Sequence, residues 1–152
     1  MVKKALCLIL VATIILVSSG CQYLLFPIMV ALSDDSASRE QILTFVQEHQ
    51  DLILSCIEQK DYSSLDSYSI VKEIYENGDH IDFYCGGSGM GSQTNYCGFF
   101  YSDDDNLKAI WCAPLEELIP QGNGYYYHEE IGDNSYYVEH IGDHLYYYTA
   151  HY

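Results

Sequence analysis

Apolar positions after residue 37 recur every three or four residues, a spacing that predicts an amphipathic α-helix. Ser38 and Gln41 form a capping-box pattern at the start of this helix. Its apolar face consists of Ile42, Phe45, Val46, His49, Leu52, Ile53 and Cys56. We interpret His49, in the middle of that face, as a hydrogen-bonded core residue rather than a ligand.

A second, shorter helix is predicted from Tyr68 to Glu76, with Ile70, Val71 and Ile74 turned inward. The Asn-Gly pair that follows would end it, since both residues tolerate the left-handed conformation found at helix C-termini.

After residue 79 the pattern changes from helical to alternating, which predicts a half-buried strand. Ile81, Phe83 and Cys85 occupy one side of this strand, and Asp82 and Tyr84 the other. The glycine- and serine-rich residues 86–92 then predict a flexible loop.

Two further apolar runs, Tyr96–Ser102 and Leu107–Cys112, predict a hairpin closed by residues 103–106. This register places Cys97 opposite Cys112, and facing Cα atoms in such a pair are about 4.5 to 5.5 Å apart. A Cys97–Cys112 disulfide is therefore the first candidate. A Cys85–Cys97 bridge and reduced core thiols stay open as alternatives.

From residue 122 the chain repeats at ten-residue intervals, with tyrosine-rich runs separated by Gly-Asp pairs. This pattern predicts a three-stranded meander with turns at residues 132–133 and 142–143. One face of the meander would carry Tyr125, Tyr127, Tyr136, Val138, His140, Leu145 and Tyr147. The other face would carry Tyr126, His128, Glu130, Tyr137, Glu139, Tyr146 and Tyr148.

Val138 and Leu145 mark the first face as the one that packs on the helix, so the second would be an aromatic surface edged with carboxylates. Tyrosine offers broad contact area with a polar tip, which suits recognition of sugars and peptides. Tyrosine is also a good strand former, so a purely structural role is the alternative. The candidate binding residues are Tyr126, His128, Tyr137, Glu139, Tyr146 and Tyr148.

His128 and Glu139 would lie one diagonal step apart on the second face, where a histidine and a carboxylate can act as an acid–base pair or contribute to a zinc site. No third ligand falls beside them, and no cysteine pair has the tight C-x-x-C spacing of a zinc site. We therefore predict no catalytic residue, no metal site and no cofactor.

The predicted fold is α+β. A long N-terminal helix and a short one pack on one face of an antiparallel sheet of about six strands that ends in the tyrosine-rich meander.

The first residues of the chain carry a different pattern. Lys3 and Lys4 precede an uncharged run, residues 5–17, that is too short for a comfortable membrane span. The sequence Val17-Ser18-Ser19-Gly20-Cys21 closes this run and resembles the lipobox of bacterial lipoproteins. The resemblance implies cleavage before Cys21 and attachment of lipid to its thiol.

On this interpretation residues 1–20 are a signal peptide, residues 21–37 are the lipid-attachment site and linker, and residues 38–152 are a single domain. Apolar residues resume after Cys21, so residues 5–32 could instead be one interrupted anchor. Cleavage after Ser33 would release a soluble domain. All three interpretations place the domain outside the cytoplasm, and the lipidated one places it on the extracytoplasmic face of a bacterial cell membrane.

The formal net charge of −16 at pH 7 argues against nucleic acid as a partner, because such a surface repels phosphate backbones. We expect membrane contact through the N-terminal lipid. Residues 82–105, which include D-F-Y-C-G-G-S-G-M and Y-C-G-F-F-Y-S-D-D-D, resemble small lipoproteins of Gram-positive bacteria, and this implies no activity.

The function expected from the sequence is a non-enzymatic binding or interaction domain that uses the tyrosine face or the loop at residues 86–92. Its partner would be an envelope protein, a peptide or a glycan. The alternatives are an extracytoplasmic hydrolase that uses His128, Glu139 or His49, and a structural or inhibitory envelope protein.

Overall fold

The computed structural model of the chain describes residues 34–78, 80–90, 93–107 and 115–152. Within them it has one α-helix and one antiparallel sheet of seven strands, so the fold is α+β. The helix is α1 (Arg39–Gln59), and short 3-10 turns cover Ser63–Leu65 and Leu115–Glu117. The strands are β1 (Glu73–Asn77), β2 (His80–Met90), β3 (Gln93–Ser102), β4 (Ile119–Gln121), β5 (Gly124–His128), β6 (Ser135–Gly142) and β7 (Leu145–His151).

The helix begins where its capping signal predicts. The Ser38 hydroxyl accepts a hydrogen bond from the Gln41 backbone at 3.2 Å, and the Gln41 side chain accepts one from the Ser38 backbone at 2.8 Å. Lys60 ends the helix in a left-handed conformation with a φ of 52°. The buried face confirms the predicted apolar positions at Ile42, Phe45, Val46, Ile53 and Cys56.

His49 interrupts the helix, since its φ of −124° and ψ of 17° are not helical. Its ring lies 5.0 Å from the Phe45 ring and 4.6 Å from the Tyr68 ring, measured between centroids. His49 is therefore a half-buried member of an aromatic cluster under the helix.

The sheet consists of two meanders that meet in its middle. Its strand order is β1-β2-β3-β7-β6-β5-β4, and every neighbouring pair is antiparallel. The last strand of each meander, β3 or β7, is thus central, while β1 and β4 form the edges.

The predicted short helix from Tyr68 to Glu76 is wrong. Its second half is the strand β1, whose last residue Asn77 lies opposite His80 across a turn in which Gly78 has a φ of 65°. An Asn-Gly pair between two apolar runs is a strong hairpin signal, and β-branched and aromatic residues such as Ile74 and Tyr75 favour strands. Asn77 therefore ends a strand, and Gly78 begins the turn of a hairpin instead of ending a helix.

The predicted loop at residues 86–92 is wrong in its first part, because residues 86–90 continue β2 beyond a bulge between Tyr84 and Gly86. A Cβ atom on Gly86 would lie 2.1 Å from the Asp35 carbonyl oxygen. Glycine at this position lets the segment before α1 approach, and Ala37 donates a backbone hydrogen bond to Cys85 at 3.0 Å. Residues 91 and 92 lie outside the described residues.

Tyr96–Ser102 lies in a strand, β3, as predicted, but the predicted hairpin with Leu107–Cys112 is wrong. β3 pairs with β2 along one edge and with β7 along the other, so neither edge is left for a following segment. Residues 108–112 lie outside the described residues.

The tyrosine-rich strands form as predicted, but in a different register. Gly124 lies opposite Glu139 and His128 opposite Ser135, two residues away from the predicted pairing, because β5 and β6 are joined by a longer turn closed by a hydrogen bond from Glu129 to Asn134. Between β6 and β7 a bulge separates the His140–Tyr146 pair from the Gly142–Leu145 pair.

This bulge turns β7 over relative to β6, because a shift of one residue moves every side chain to the other face. Leu145 and Tyr147 lie on the helix side of the sheet, and Val138 lies on the opposite side with Tyr146 and Tyr148. The prediction that Val138 and Leu145 both pack on the helix is therefore wrong for Val138.

The sheet is buried on both faces. The layer under α1 contains Phe83, Cys85, Cys97, Phe99, Leu145 and Tyr147. The layer on the far face contains Phe100, Tyr136, Val138, Tyr146, Tyr148 and Ala150, with Leu107 and Leu118 packed against it. This second layer was not predicted from the sequence.

The capping box leads to a first prediction. Ser38→Ala removes the side-chain acceptor for the Gln41 N–H and should destabilise the chain by about 1 kcal/mol. Ser64→Ala, in an exposed position of the 3-10 turn, is the matched control and should change stability by less than about 0.5 kcal/mol. Urea unfolding followed by circular dichroism measures both, and equal stabilities would contradict a role for the cap.

Candidate functional site

A cleft lies on the face of the sheet opposite α1. One of its lining residues, Asp82, has a buried side-chain oxygen with no hydrogen-bond partner among the described residues. The cleft has a volume of about 490 Å³. We call it the Asp82 cleft, and its lining residues are Glu73, Tyr75, Asn77, Asp82, Tyr84, Tyr96 and Tyr148. Small-molecule sites typically measure about 300 to 1,000 Å³, so the cleft has the size of a ligand pocket.

Strand register brings these residues together. Tyr75 of β1 lies opposite Asp82 of β2, and Glu73 lies opposite Tyr84. Across the next two strands, Tyr84 lies opposite Gly98 and Gly98 lies opposite Tyr148. Because facing residues share one side of a sheet, these side chains all point away from the helix.

Gly98 leaves room above β3 for the Tyr148 ring, because glycine has no side chain. A Cβ atom there would lie 2.9 Å from the Tyr148 hydroxyl oxygen and 3.0 Å from the Tyr148 Cε1. The Tyr148 ring therefore crosses over β3 and reaches β2, where its hydroxyl donates a hydrogen bond to Asp82 Oδ2 at 3.4 Å.

Asp82 is a buried carboxylate with an incomplete set of partners. Only 4% of it is exposed, and its Oδ1 has no hydrogen-bond partner among the described residues. Burial raises the pKa of Asp82 to about 7, and the hydrogen bond from Tyr148 opposes this rise. Buried polar atoms are nearly always hydrogen-bonded, so an unpaired carboxylate oxygen needs an explanation.

Two further hydroxyl groups belong to the same environment. Burial, followed by the negative charge of Asp82, raises the pKa of Tyr148 above its ordinary range. The Tyr136 hydroxyl of the neighbouring strand β6 is also buried and has no hydrogen-bond partner within the described part of the chain. Two buried oxygens near Asp82, its own Oδ1 and the Tyr136 hydroxyl, thus lack hydrogen-bond partners among the described residues.

Glu139 gives a contrasting picture on the helix side of the sheet. It is 4% exposed, and its two oxygens accept hydrogen bonds from Arg39 at 2.5 Å and from the Tyr137 hydroxyl at 2.6 Å. The Arg39 guanidinium also lies 5.9 Å from the centre of the Tyr147 ring. Glu139 is therefore a satisfied ion pair that ties the first turn of α1 to β6.

The predicted pairing of His128 with Glu139 is wrong. His128 lies opposite Ser135, four residues along β6 from Glu139, which corresponds to about 14 Å. The His128 ring contacts the Glu129 carbonyl oxygen instead, at 2.7 Å.

Glu139 does line a cleft of about 820 Å³ together with His49 and His140. Both of its oxygens are already engaged, and the hydrogen bonds of the described residues join neither histidine to a carboxylate in this cleft. The described residues also include no group of three or more His, Cys, Asp or Glu side chains arranged to hold a metal ion.

The sequence predicted that the six candidate binding residues share one face of the sheet. This prediction is wrong. Tyr126, His128, Tyr137 and Glu139 lie on the helix side, whereas Tyr146 and Tyr148 lie on the far side. Of the six, Tyr148 alone lines the Asp82 cleft. Tyr146 is buried, and its hydroxyl donates to Asp105 at 2.8 Å. A binding role for any of them stays a prediction.

Cys56, Cys85 and Cys97 form no disulfide within the described residues, so the alternative Cys85–Cys97 bridge is absent. The Cys97 thiol lies 3.3 Å from the Ala37 carbonyl oxygen, and burial raises its pKa to about 11. Burial likewise raises the pKa of Cys85. Cys112, the predicted disulfide partner of Cys97, lies outside the described residues, so that pairing stays a prediction.

The predicted lipid-attachment residue, Cys21, and the whole predicted signal peptide also lie outside the described residues. In the part that is described, no helix is long and apolar enough to cross a bilayer. The segment Asp34–Ala37, assigned to the linker from its sequence, contacts the domain: Asp35 and Ala37 donate backbone hydrogen bonds to β2.

Sequence reasoning missed the Asp82 cleft for two reasons. The alternation in β2 correctly placed Asp82 and Tyr84 on one side, but a polar residue in an alternating strand is normally solvated. Tyr75 was assigned to a helix, so its place beside Asp82 was not recognised. The available signal was the Asn-Gly pair after Tyr75, which predicts the hairpin and hence the neighbouring strand.

Over the described residues, the fold and cleft define a two-layer α+β domain, in which one helix packs on one face of a seven-stranded antiparallel sheet and a tyrosine-lined cleft lies on the other face. Comparison of the chain with models of known protein families, with curated proteins and with solved structures found no match.

The raised pKa of Asp82 predicts how stability depends on pH. Between about pH 4 and pH 7 the folded chain holds a proton that the unfolded chain has lost, so the contribution of Asp82 to stability falls as the pH rises. Asp82→Asn has no such proton. The wild type should therefore lose stability between pH 5 and pH 8 while Asp82→Asn does not. The free energy of unfolding of Asp82→Asn, taken relative to that of the wild type, should rise over this range by at most about 3 kcal/mol.

Asp66→Asn is the matched control, because Asp66 is exposed and lies outside the cleft. Denaturant unfolding of the three chains at pH 5 and pH 8 measures the difference. A constant gap between Asp82→Asn and the wild type would show that Asp82 titrates in its ordinary range.

Proposed function

We propose that the chain is a lipid-anchored extracytoplasmic binding protein that holds a small ligand or a protruding side chain in the Asp82 cleft. The location rests on the lipobox-like sequence before Cys21. The binding role rests on the cleft, in which four tyrosines surround a buried carboxylate with an unpaired oxygen.

Binding accounts for these features better than structural stability does. A buried carboxylate with an unmet hydrogen-bonding position costs folding free energy, and a ligand that donates to it removes that cost. Tyrosine rings supply flat contact area, and only Tyr75 among the four is largely exposed, with 46% of its surface accessible. The other three rings are held in place before a ligand arrives, which lowers the entropic cost of binding.

Catalysis is less well supported by the same residues. The seven residues that line the cleft include no histidine, lysine, serine or cysteine, and the second carboxylate, Glu73, is exposed and accepts a hydrogen bond from the Tyr75 hydroxyl. Of the residues named for the hydrolase alternative, His128 lies far from Glu139, whereas His49 lines the same cleft as Glu139. Arg39 and Tyr137 would first have to release Glu139. Binding at the Asp82 cleft leaves the Glu139 ion pair in place, because none of its groups lines that cleft.

Lipid attachment can be tested by intact mass. The wild-type chain extracted from bacterial membranes should begin at Cys21 and carry the added mass of acyl chains. Cys21→Ser should lack the acyl mass, whereas Cys7→Ser, within the predicted signal peptide, should still yield acylated Cys21. A membrane-extracted wild-type chain that begins at Met1 or Asp34 without acyl mass would contradict the proposed anchor.

Binding at the cleft can be tested with two tyrosine variants of similar exposure. Tyr75 lines the cleft and Tyr125, which is 42% exposed, does not. In a ligand-detected NMR screen of cationic, neutral and anionic small molecules, Tyr75→Ser should weaken the compounds that bind by about tenfold, or about 1.4 kcal/mol. Tyr125→Ser should leave them unchanged. Equal effects of the two substitutions would place binding elsewhere.

A further inference from the structure

The charge of the Asp82 cleft restricts what it can bind. The chemical class of ligand inferred below rests on the binding role proposed above. The cleft lining includes two carboxylates, Glu73 and Asp82, and no lysine, arginine or histidine. An anionic ligand would meet uncompensated negative charge in a partly desolvated site, where repulsion is strongest. Anions are therefore the least suited class.

The tyrosine rings favour a cation of a particular kind. Ammonium groups are attracted to aromatic faces by about 0.5 to 2 kcal/mol, more when water is excluded. Tyr75, Tyr84, Tyr96 and Tyr148 all line the cleft that contains the carboxylate. From this combination of rings and carboxylate we propose that the Asp82 cleft binds an organic ammonium group, carried by a small amine or by a lysine-like side chain.

A bare metal ion fits the cleft less well. Calcium takes about six to eight oxygen ligands, and magnesium requires a near-octahedral set. The cleft offers the carboxylates of Asp82 and Glu73 and an amide at Asn77, spread over about 490 Å³ and walled by aromatic rings. A bulky cation with apolar substituents fills such a space, whereas a metal ion does not.

The proton on Asp82 gives the proposal a pH signature. The titratable groups around it are Glu73 and Tyr75 on β1, Tyr84 and Cys85 on its own strand, Tyr96 on β3, Tyr148 on β7 and Tyr136 on β6. Glu73 is the other carboxylate of the cleft, and its side chain is exposed to solvent. An ammonium group binds the ionised form of Asp82, so binding should release the proton. With the pKa of Asp82 at about 7, affinity should rise roughly 50- to 100-fold from pH 5 to pH 8.

Choline and 3,3-dimethylbutan-1-ol make a matched pair of probes, because they have the same shape and differ by one positive charge. We would titrate each into the full chain in non-ionic detergent micelles and follow tyrosine NMR signals at pH 5 and pH 8. The amide of Nα-acetyl-lysine provides a primary ammonium probe. At pH 8 at least one of the two cations should bind at least tenfold more tightly than the neutral alcohol, or by about 1.4 kcal/mol.

Asp82→Asn should remove this preference for charge, and Asp66→Asn, which makes the same change in net charge outside the cleft, should retain it. Choline binding alone would identify a quaternary amine as the better match, and lysine-amide binding alone a side chain; either result supports the proposal. Retention of the preference in Asp82→Asn would overturn it, because surface charge would then be its source.

The two proposals fail in distinguishable ways. If choline and its neutral isostere bind equally, or if only neutral or anionic compounds bind with sensitivity to Tyr75→Ser, the ammonium class is wrong and the binding cleft stands. If no compound of any charge perturbs the tyrosines of the cleft, both proposals fall. Circular dichroism of each variant establishes that a lost signal reflects binding and not unfolding.

Discussion

The pairing of β3 with β7 is the interaction on which the rest of the structure depends, because it joins the two meanders into one sheet. It runs from the Asn95–His151 pair to the Tyr101–Leu145 pair. Both strands are central, and each has four consecutive buried residues, at 97–100 and at 145–148. The centre of the sheet therefore has no solvated face, and Asp82, two strands from β7, lies under an aromatic layer instead of in water.

Features encoded by local pattern could be predicted from the sequence. The helix with its capping box, the strand from Ile81 and the tyrosine-rich strands all follow from spacing within about ten residues. Pairing between distant segments could not be predicted in this way. The partner of β3 was expected to be the next apolar run, whereas β7 begins more than forty residues later. The consecutive buried runs in β3 and β7 were the available sign of a sheet covered on both faces.

The site depended on still finer detail. One bulge between His140 and Gly142 decides which face each tyrosine of β7 occupies, and periodicity does not reveal a bulge in advance. The burial of Asp82 depends further on Tyr148 reaching across Gly98 from β7. The sequence thus predicted the side of the strand on which Asp82 lies, and only the three-dimensional pairing shows what covers it.

The two buried carboxylates of the sheet, Glu139 and Asp82, differ in how fully their oxygens are hydrogen-bonded. Glu139 has a cation and a hydroxyl on its two oxygens, and it links α1 to β6. Among the described residues, Asp82 has a single long hydrogen bond, from Tyr148, and one oxygen without a partner. An apolar residue of similar size would fill the same space without the cost of desolvating a carboxylate, which is about 1 to 3 kcal/mol or more for an unsatisfied charged group. The fold therefore has no need of a charge at Asp82: a proton offsets the cost of burial below about pH 7, and the ammonium group proposed above would offset it at higher pH.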